Sequence, residues 1–151
     1  MNRIIKFRGI IEEYNPDMDE SIFRFGNLLN NDTIGEVLDG ISHYEYTKVK
    51  PETIGQFTGL LDKNENDIYE GDIFDVVFSN CPNGYSILGR ETIYQTIKGI
   101  VVFKFGSFRI EFMHPEYKEL VTFLLSDFLK NEKEVVGNIF ENPELIAGTV
   151  L

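Results

Sequence analysis

The chain has 151 residues, with 14 Lys and Arg against 25 Asp and Glu, for a formal net charge of −11. That balance disfavours non-specific binding to DNA or to an anionic membrane, because both require a cationic surface. Hydrophobic residues make up 42% and aromatics 13%, with 13 Phe and no Trp, which excludes wholesale disorder and fits one domain, or one domain with an appendage.

From the amino terminus, Met1-Asn2-Arg3-Ile4-Ile5-Lys6-Phe7-Arg8 lacks the uninterrupted apolar run that a signal peptide needs after its basic start. No later run approaches the length of a membrane span, so the protein is expected to be soluble and cytoplasmic. Arg3 to Tyr14 reads as a strand ending at the turn signal Asn15-Pro16-Asp17, and Ser21 to Leu29 as a second ending at Asn30-Asn31-Asp32. His43 to Val49 alternates as a half-exposed strand does. Pro51 then marks a boundary: six basic residues stand against nine acidic ones before it, and eight against sixteen from it onwards. Asp32-Thr33-Ile34-Gly35 and Glu52-Thr53-Ile54-Gly55 are alike, but two short copies do not make a repeat protein.

Ile97 to Met113 is the clearest hairpin. Val101, Phe103 and Phe105, then Phe108, Ile110 and Phe112, alternate with other positions, and a two-residue loop at Gly106-Ser107 suits a type II′ turn. Tyr117 to Leu129 is ambiguous. Tyr117, Leu120, Val121, Leu124, Leu125 and Phe128 fit a helical stripe, whereas Val121-Thr122-Phe123 favours a strand and Ser126 suits the cap of one helical turn.

Few constellations point to chemistry. Asp62-Lys63-Asn64-Glu65-Asn66 opens like a calcium-binding EF-hand loop. The sixth position is Asp67 rather than Gly, however, and the twelfth is Ile73 rather than Glu, so a polar hairpin tip is the better reading. Glu70-Gly71-Asp72 places two carboxylates around a glycine, and a turn whose carboxylate accepts backbone N–H bonds accounts for it. Cys81 sits in the turn Cys81-Pro82-Asn83-Gly84, and His43 and His114 lie in unrelated contexts, so neither a zinc site nor a Cys-His pair is indicated. There is no phosphate-binding loop, dinucleotide fingerprint or nucleophile elbow. No catalytic residue, cofactor or metal is therefore expected. Phe57, Tyr69, Phe74, Phe78, Tyr85 and Tyr94 offer either a ligand groove or core filling, and core is expected of the phenylalanines.

Thr53-Ile54-Gly55-Gln56-Phe57-Thr58-Gly59-Leu60-Leu61-Asp62-Lys63-Asn64, then Asp67-Ile68-Tyr69-Glu70-Gly71-Asp72-Ile73, resembles the signature of YopX-like phage proteins. Glu134-Val135-Val136-Gly137-Asn138-Ile139-Phe140-Glu141-Asn142-Pro143-Glu144-Leu145 is similar to that family's carboxy-terminal motif, and Ile5-Lys6-Phe7-Arg8 to its usual start. Glu65 departs from the pattern, where Gly is usual, which leaves the turn type of that tip open. The resemblance implies a phage or prophage origin, an SH3-like β-roll and no established activity. It tilts Tyr117–Leu129 toward a strand followed by a helical turn at Ser126, with a last strand from Glu134 to Phe140.

The expected fold is thus mainly β: an SH3-like barrel or roll over residues 51–151, an amino-terminal β extension over residues 1–50, and at most one short helix. Gln56, Thr58, Gly59, Asp62, Tyr69, Glu70, Gly71, Asp72, Gly137, Asn138, Glu141, Asn142 and Pro143 are family-motif positions expected to serve structure. The expected function is that of a non-enzymatic accessory protein acting through protein contacts, including contacts with itself as a homo-oligomer. The alternative is an acidic nucleic-acid mimic or host-factor inhibitor. Direct nucleic-acid binding would need a local basic patch from Lys98, Lys104 and Arg109, which Glu111 and the general acidity oppose.

Overall fold

A computed structural model describes residues 4–37, 44–79 and 93–147. Eleven strands and one helix can be named among them: β1 Phe7–Ile10, β2 Phe23–Asn30, β3 Thr33–Val37, β4 Tyr44–Lys48, β5 Gly55–Leu61, β6 Asp67–Tyr69, β7 Asp72–Ser79, β8 Tyr94–Lys104, β9 Ser107–Met113, β10 Leu120–Leu124, α1 Leu125–Phe128 and β11 Val135–Asn138. The protein is mainly β. Every pairing is antiparallel, and the strands form a six-stranded sheet in the order β4-β3-β2-β1-β5-β6 and a five-stranded sheet in the order β10-β9-β8-β7-β11. The second sheet ends on β10 and β11, so it does not close into the expected barrel.

The chain divides into two compact units, one of residues 1–61 and 67–70, the other of 62–66 and 71–151. In the first, the four amino-terminal strands share their sheet with β5 and β6, because Phe7 and Arg8 of β1 pair with Gln56 and Gly55. Pro51, where the charge balance shifts, opens a short 3-10 turn (Pro51–Thr53) inside this unit. Thr53 holds that turn against β1: its Oγ1 accepts the Ile10 N–H at 2.9 Å and donates to the Lys50 carbonyl at 2.7 Å. Ile11, Phe23, Ile34, Val49, Phe57, Ile68 and Tyr69 are buried in this unit.

In the second unit, one face of the sheet carries Phe74, Val76, Val101, Ile110 and Phe112, all buried, with Leu125 of α1 fully buried beside them. Phe74 meets Phe128 of α1 edge to face, ring centroids 5.6 Å apart. The ambiguous segment is therefore a strand followed by one helical turn. The turn begins at Leu125, after an N-cap at Leu124 that makes no side-chain bond, so Ser126 lies inside it rather than capping it.

The hairpin is present but one residue out of the expected place. Lys104 pairs with Ser107, and the loop is Phe105-Gly106 with φ of +54° and +73°. Positive φ at both central positions makes a type I′ turn, not type II′. The hydrophobic pattern could not decide between the two, because a register change of two residues leaves every side chain on its own face. Charge does separate them: a Gly106-Ser107 loop would set Lys104 directly opposite Arg109, a destabilising like-charge pair. In the observed register Arg109 faces Val102, and Lys104 pairs with Glu111.

Candidate functional site

In the first unit the motif residues tie strand to strand. The Glu70 N–H donates to the Gln56 carbonyl at 3.1 Å, and the Gln56 N–H donates to Glu70 Oε1 at 3.1 Å. Burial pushes the Glu70 carboxyl above the ordinary range, and the Gln56 N–H only partly offsets it. Arg8 is buried, with its guanidinium 4.9 Å from each of the Phe23 and Tyr69 rings, and Nη2 donates to the Glu70 carbonyl at 3.2 Å. Lys6 pairs with Asp67, which raises its ammonium above the usual value, and its Nζ lies 4.7 Å over the Phe57 ring. Thr58 Oγ1 accepts the Leu60 N–H at 3.2 Å, while Gly59 takes φ +81° where the β5–β6 register shifts. A side chain at Gly59 would be strained although nothing crowds it.

In the second unit the motif residues build two loop clamps. Asp62 is buried. One carboxylate oxygen accepts the Asn64 and Asn66 N–H groups at 2.9 Å each, and the other accepts the Val135 N–H at 3.1 Å. Burial works against the charge, but these donors together with the Asn66 amide hold the Asp62 carboxyl below its ordinary value. Exposed Lys63 and Asn64 both reach Glu134, at 3.2 and 3.0 Å. The polar tip is thus a carboxylate-held turn, with Glu65 at φ +64° where a Gly would sit without strain.

The other clamp centres on Asn138. Its Oδ1 accepts the Phe140 and Glu141 N–H groups at 3.1 and 2.9 Å, and its Nδ2 donates to Glu141 Oε2 at 2.6 Å. The Asn142 side chain accepts the Asn138 N–H at 3.2 Å, and Pro143 opens the 3-10 turn Pro143–Ile146. A Cβ on Gly137 would stand 2.5 Å from Asn142 Oδ1, so a side chain there would displace the amide that accepts the Asn138 N–H. Gly71, at φ +86°, turns the chain into β7, where Asp72 is buried.

Two features escaped the sequence reading. Glu36 and Glu45 lie directly opposite each other on β3 and β4, and Arg24 Nη1 stands 3.6 and 3.5 Å from their carboxylates. Arg24 also reaches Asp19 at 3.6 Å, beneath a cleft of about 470 Å³ that Met18, Glu20, Phe23 and Phe25 help to line. The other feature is the hairpin tip: Phe105 is 86% exposed at a positive φ, and Phe103, half exposed, meets Phe108 at 5.1 Å. Neither is visible without the register that places the side chains.

The sequence profile of the family described as "YopX protein" matches residues 27–147. The chain belongs to the YopX family. No curated protein matches it. Among solved structures, a crystal structure of protein EF1440 from Enterococcus faecalis is similar at 24% identity, over 96% of this chain and 99% of that one, with a TM-score of 0.44. The YopX match spans every motif position from Gln56 to Pro143 and the hairpin tip at Phe105, whereas Lys6, Arg8 and most of the cleft around Arg24 lie before it.

The remaining candidates do not converge in this YopX chain. Lys98 pairs with Asp75, Lys104 with Glu111, and Arg109 Nε donates to Thr122 Oγ1 at 2.9 Å, so the proposed basic patch is neutralised or engaged. His114 follows β9; its Nδ1 accepts the Glu116 and Tyr117 N–H groups at 3.2 Å, and its ring stacks on Tyr117. Phe57, Tyr69 and Phe74 are core residues, Phe78 packs on Phe112, and Tyr94 is exposed. Tyr85, Cys81 and His43 lie outside the described residues. No group of three or more His, Cys, Asp or Glu among the described residues is placed to hold a metal ion, and no described helix is long and apolar enough to cross a membrane.

Proposed function

We propose that the chain is a phage or prophage accessory protein of the host cytoplasm, a non-enzymatic protein-interaction module with an SH3-like ancestry that also associates with itself. The observation that carries this reading is Phe105. A bulky aromatic at positive φ is costly, and Asn or Asp is the favoured residue before Gly in a type I′ turn. Phe105, strained and almost fully exposed beside half-exposed Phe103, is on this reading a contact residue for a partner's apolar pocket. The motif carboxylates support the same reading from the other side, since Asp62 and Glu70 are committed to backbone N–H groups.

The test is capture from phage-infected host extract with two baits, the wild-type chain and Phe105→Asn. Partners held by the wild type and lost by the variant, with the far-ultraviolet spectrum unchanged, would support the module. Identical capture by both baits would overturn the role of the tip.

The mimic reading draws on one place, the cleft where Asp19, Glu20, Glu36 and Glu45 gather around Arg24. Elsewhere Asp32, Asp67, Asp75, Glu111, Asp127 and Glu134 are each paired with a lysine. That interspersion favours the module over a phosphate-like stripe.

A further inference from the structure

Each sheet ends in two edge strands, and an open edge invites pairing unless something blunts it. Three of the four are blunted. β4 carries Glu45 and Lys48, and its Lys48 carbonyl accepts the Glu12 N–H at 3.0 Å where Val49 bridges Ile11. β6 is three residues long and carries Asp67, paired with Lys6. β11 gives its Val135 and Asn138 N–H groups to Asp62 and Asn142.

β10 is the least protected, with no charge of its own and a single side-chain cap, Arg109 of β9 on Thr122. Its five residues, Leu120-Val121-Thr122-Phe123-Leu124, include no charge, no Pro and no Gly, and Leu120, Phe123 and Leu124 are 46%, 52% and 41% exposed. The direction of its free groups follows from the ladder. Glu119 accepts the His114 N–H, so Val121 and Phe123 turn their backbone groups toward β9, and Leu120, Thr122 and Leu124 turn theirs outward. On the outward row Arg109 Nη2 stands 3.4 Å from the Thr122 carbonyl, and the Leu124 carbonyl, at the N-cap of α1, accepts the first bond of that turn. A carbonyl has a second lone pair for a ladder bond.

We propose that β10 pairs antiparallel with β10 of a second copy of this chain, about a two-fold axis at Thr122. The occupant follows from charge and register. Two molecules of net charge −11 repel, so copies meet at least cost along a strand whose own residues carry no charge, and β10 is such a strand. Centring on Thr122 sets Thr122 against Thr122, Leu120 against Leu124 and Val121 against Phe123, using all five residues; the charge it brings to the axis is Arg109, whose guanidinium is engaged with Thr122 and Ser107. A shift of the centre to Val121 would set Glu119 against Phe123. A closed two-fold pair consumes the edge, as isologous interfaces do, rather than propagating a filament.

This inference rests on the self-association proposed above and assigns it a surface. The test follows the chain by sedimentation velocity from micromolar to millimolar concentration, with Leu120→Lys, Leu124→Glu and the double variant. Both leucines are half exposed, so the fold tolerates the changes, and circular dichroism checks it. Each single change should raise the dimer dissociation constant about tenfold or more, since it sets a charge against leucine at two places in the pair. The double variant should return toward the wild-type value, because the introduced lysine of one copy then faces the introduced glutamate of the other. Residues 120 and 124 lie roughly 13 Å apart along one strand, too far for that compensation to arise within a single chain. Amide exchange supplies the second readout: Leu120, Thr122 and Leu124 should gain protection as concentration rises, whereas Val121 and Phe123 should not change. A wild type that stays monomeric throughout overturns both the self-association and its surface. A wild type that associates, with unaltered single variants and no alternating protection, overturns the β10 surface alone.

Discussion

Glu70 shows how a motif position can look catalytic and serve the backbone. It stands beside a glycine and a second acid, and burial raises its pKa, a combination that elsewhere marks a general acid. Here its Oε1 receives the Gln56 N–H, and its backbone carbonyl receives Arg8. The pH dependence has a definite sign. A carboxyl whose folded pKa lies above its unfolded value binds more protons folded than unfolded, so stability falls as pH rises from the ordinary carboxylate range through the raised value. Glu70→Gln keeps an oxygen for the Gln56 N–H and removes the charge. The variant should therefore match the wild type in urea unfolding below that window and exceed it at neutral pH; a variant that is weaker at neutral pH would show that the charge itself is needed. The turn role of this stretch was legible because Gly-Asp before an apolar strand is a local signal. The partner of Asp62 was not: Val135 lies 73 residues away, and nothing local reports which distant N–H a carboxylate will meet.

At the scale of elements, strands and hairpins were readable where alternation is strict, and their registers were not. The Ile97–Met113 hairpin fixes its buried face through Val101, Ile110 and Phe112, yet a two-residue slide preserves that face. The choice of turn fell to the opposition of Lys104 and Arg109, and its cost fell on Phe105. Phe105→Asn should consequently stabilise the isolated chain by about 0.5–1 kcal/mol, since Asn tolerates the left-handed region far better. The exposed contact between Arg109 and the Phe105 ring, 5.8 Å apart, offsets a part of that gain. Urea denaturation measures the difference; a clear loss of stability would mean that the phenylalanine supports the fold rather than a partner. The same logic explains the Tyr117–Leu129 segment. Its apolar spacing fits a helix, but five residues of it pair with β9 in register from Leu120–Met113 to Leu124–Arg109. The ladder prevails until Leu125 turns inward to be fully buried.

For the whole molecule, the acidity and the open edge have to be considered together. A mainly-β chain was legible from composition and alternation; the closed barrel expected of it was not realised, because closure depends on which distant strands meet. β5 meets β1, and β10 is left at an edge. An edge without charge on a molecule of net charge −11 has a distinctive dependence on salt. If copies meet along β10, the attraction is apolar and main-chain, and the long-range repulsion between the molecules is the part that salt screens. The screening length shortens from about 30 Å at 0.01 M to about 10 Å at 0.1 M. The dimer should therefore tighten, by about threefold or more, as sodium chloride is raised over that range. An interface built instead from the acidic cleft around Arg24 and a cationic surface would loosen over the same range, because salt would screen its attraction. Sodium chloride is the right titrant, since sulfate strengthens apolar burial directly. Sedimentation at the two salt concentrations separates the cases by sign alone: tighter association supports the uncharged edge, and weaker association rules it out in favour of charge pairing.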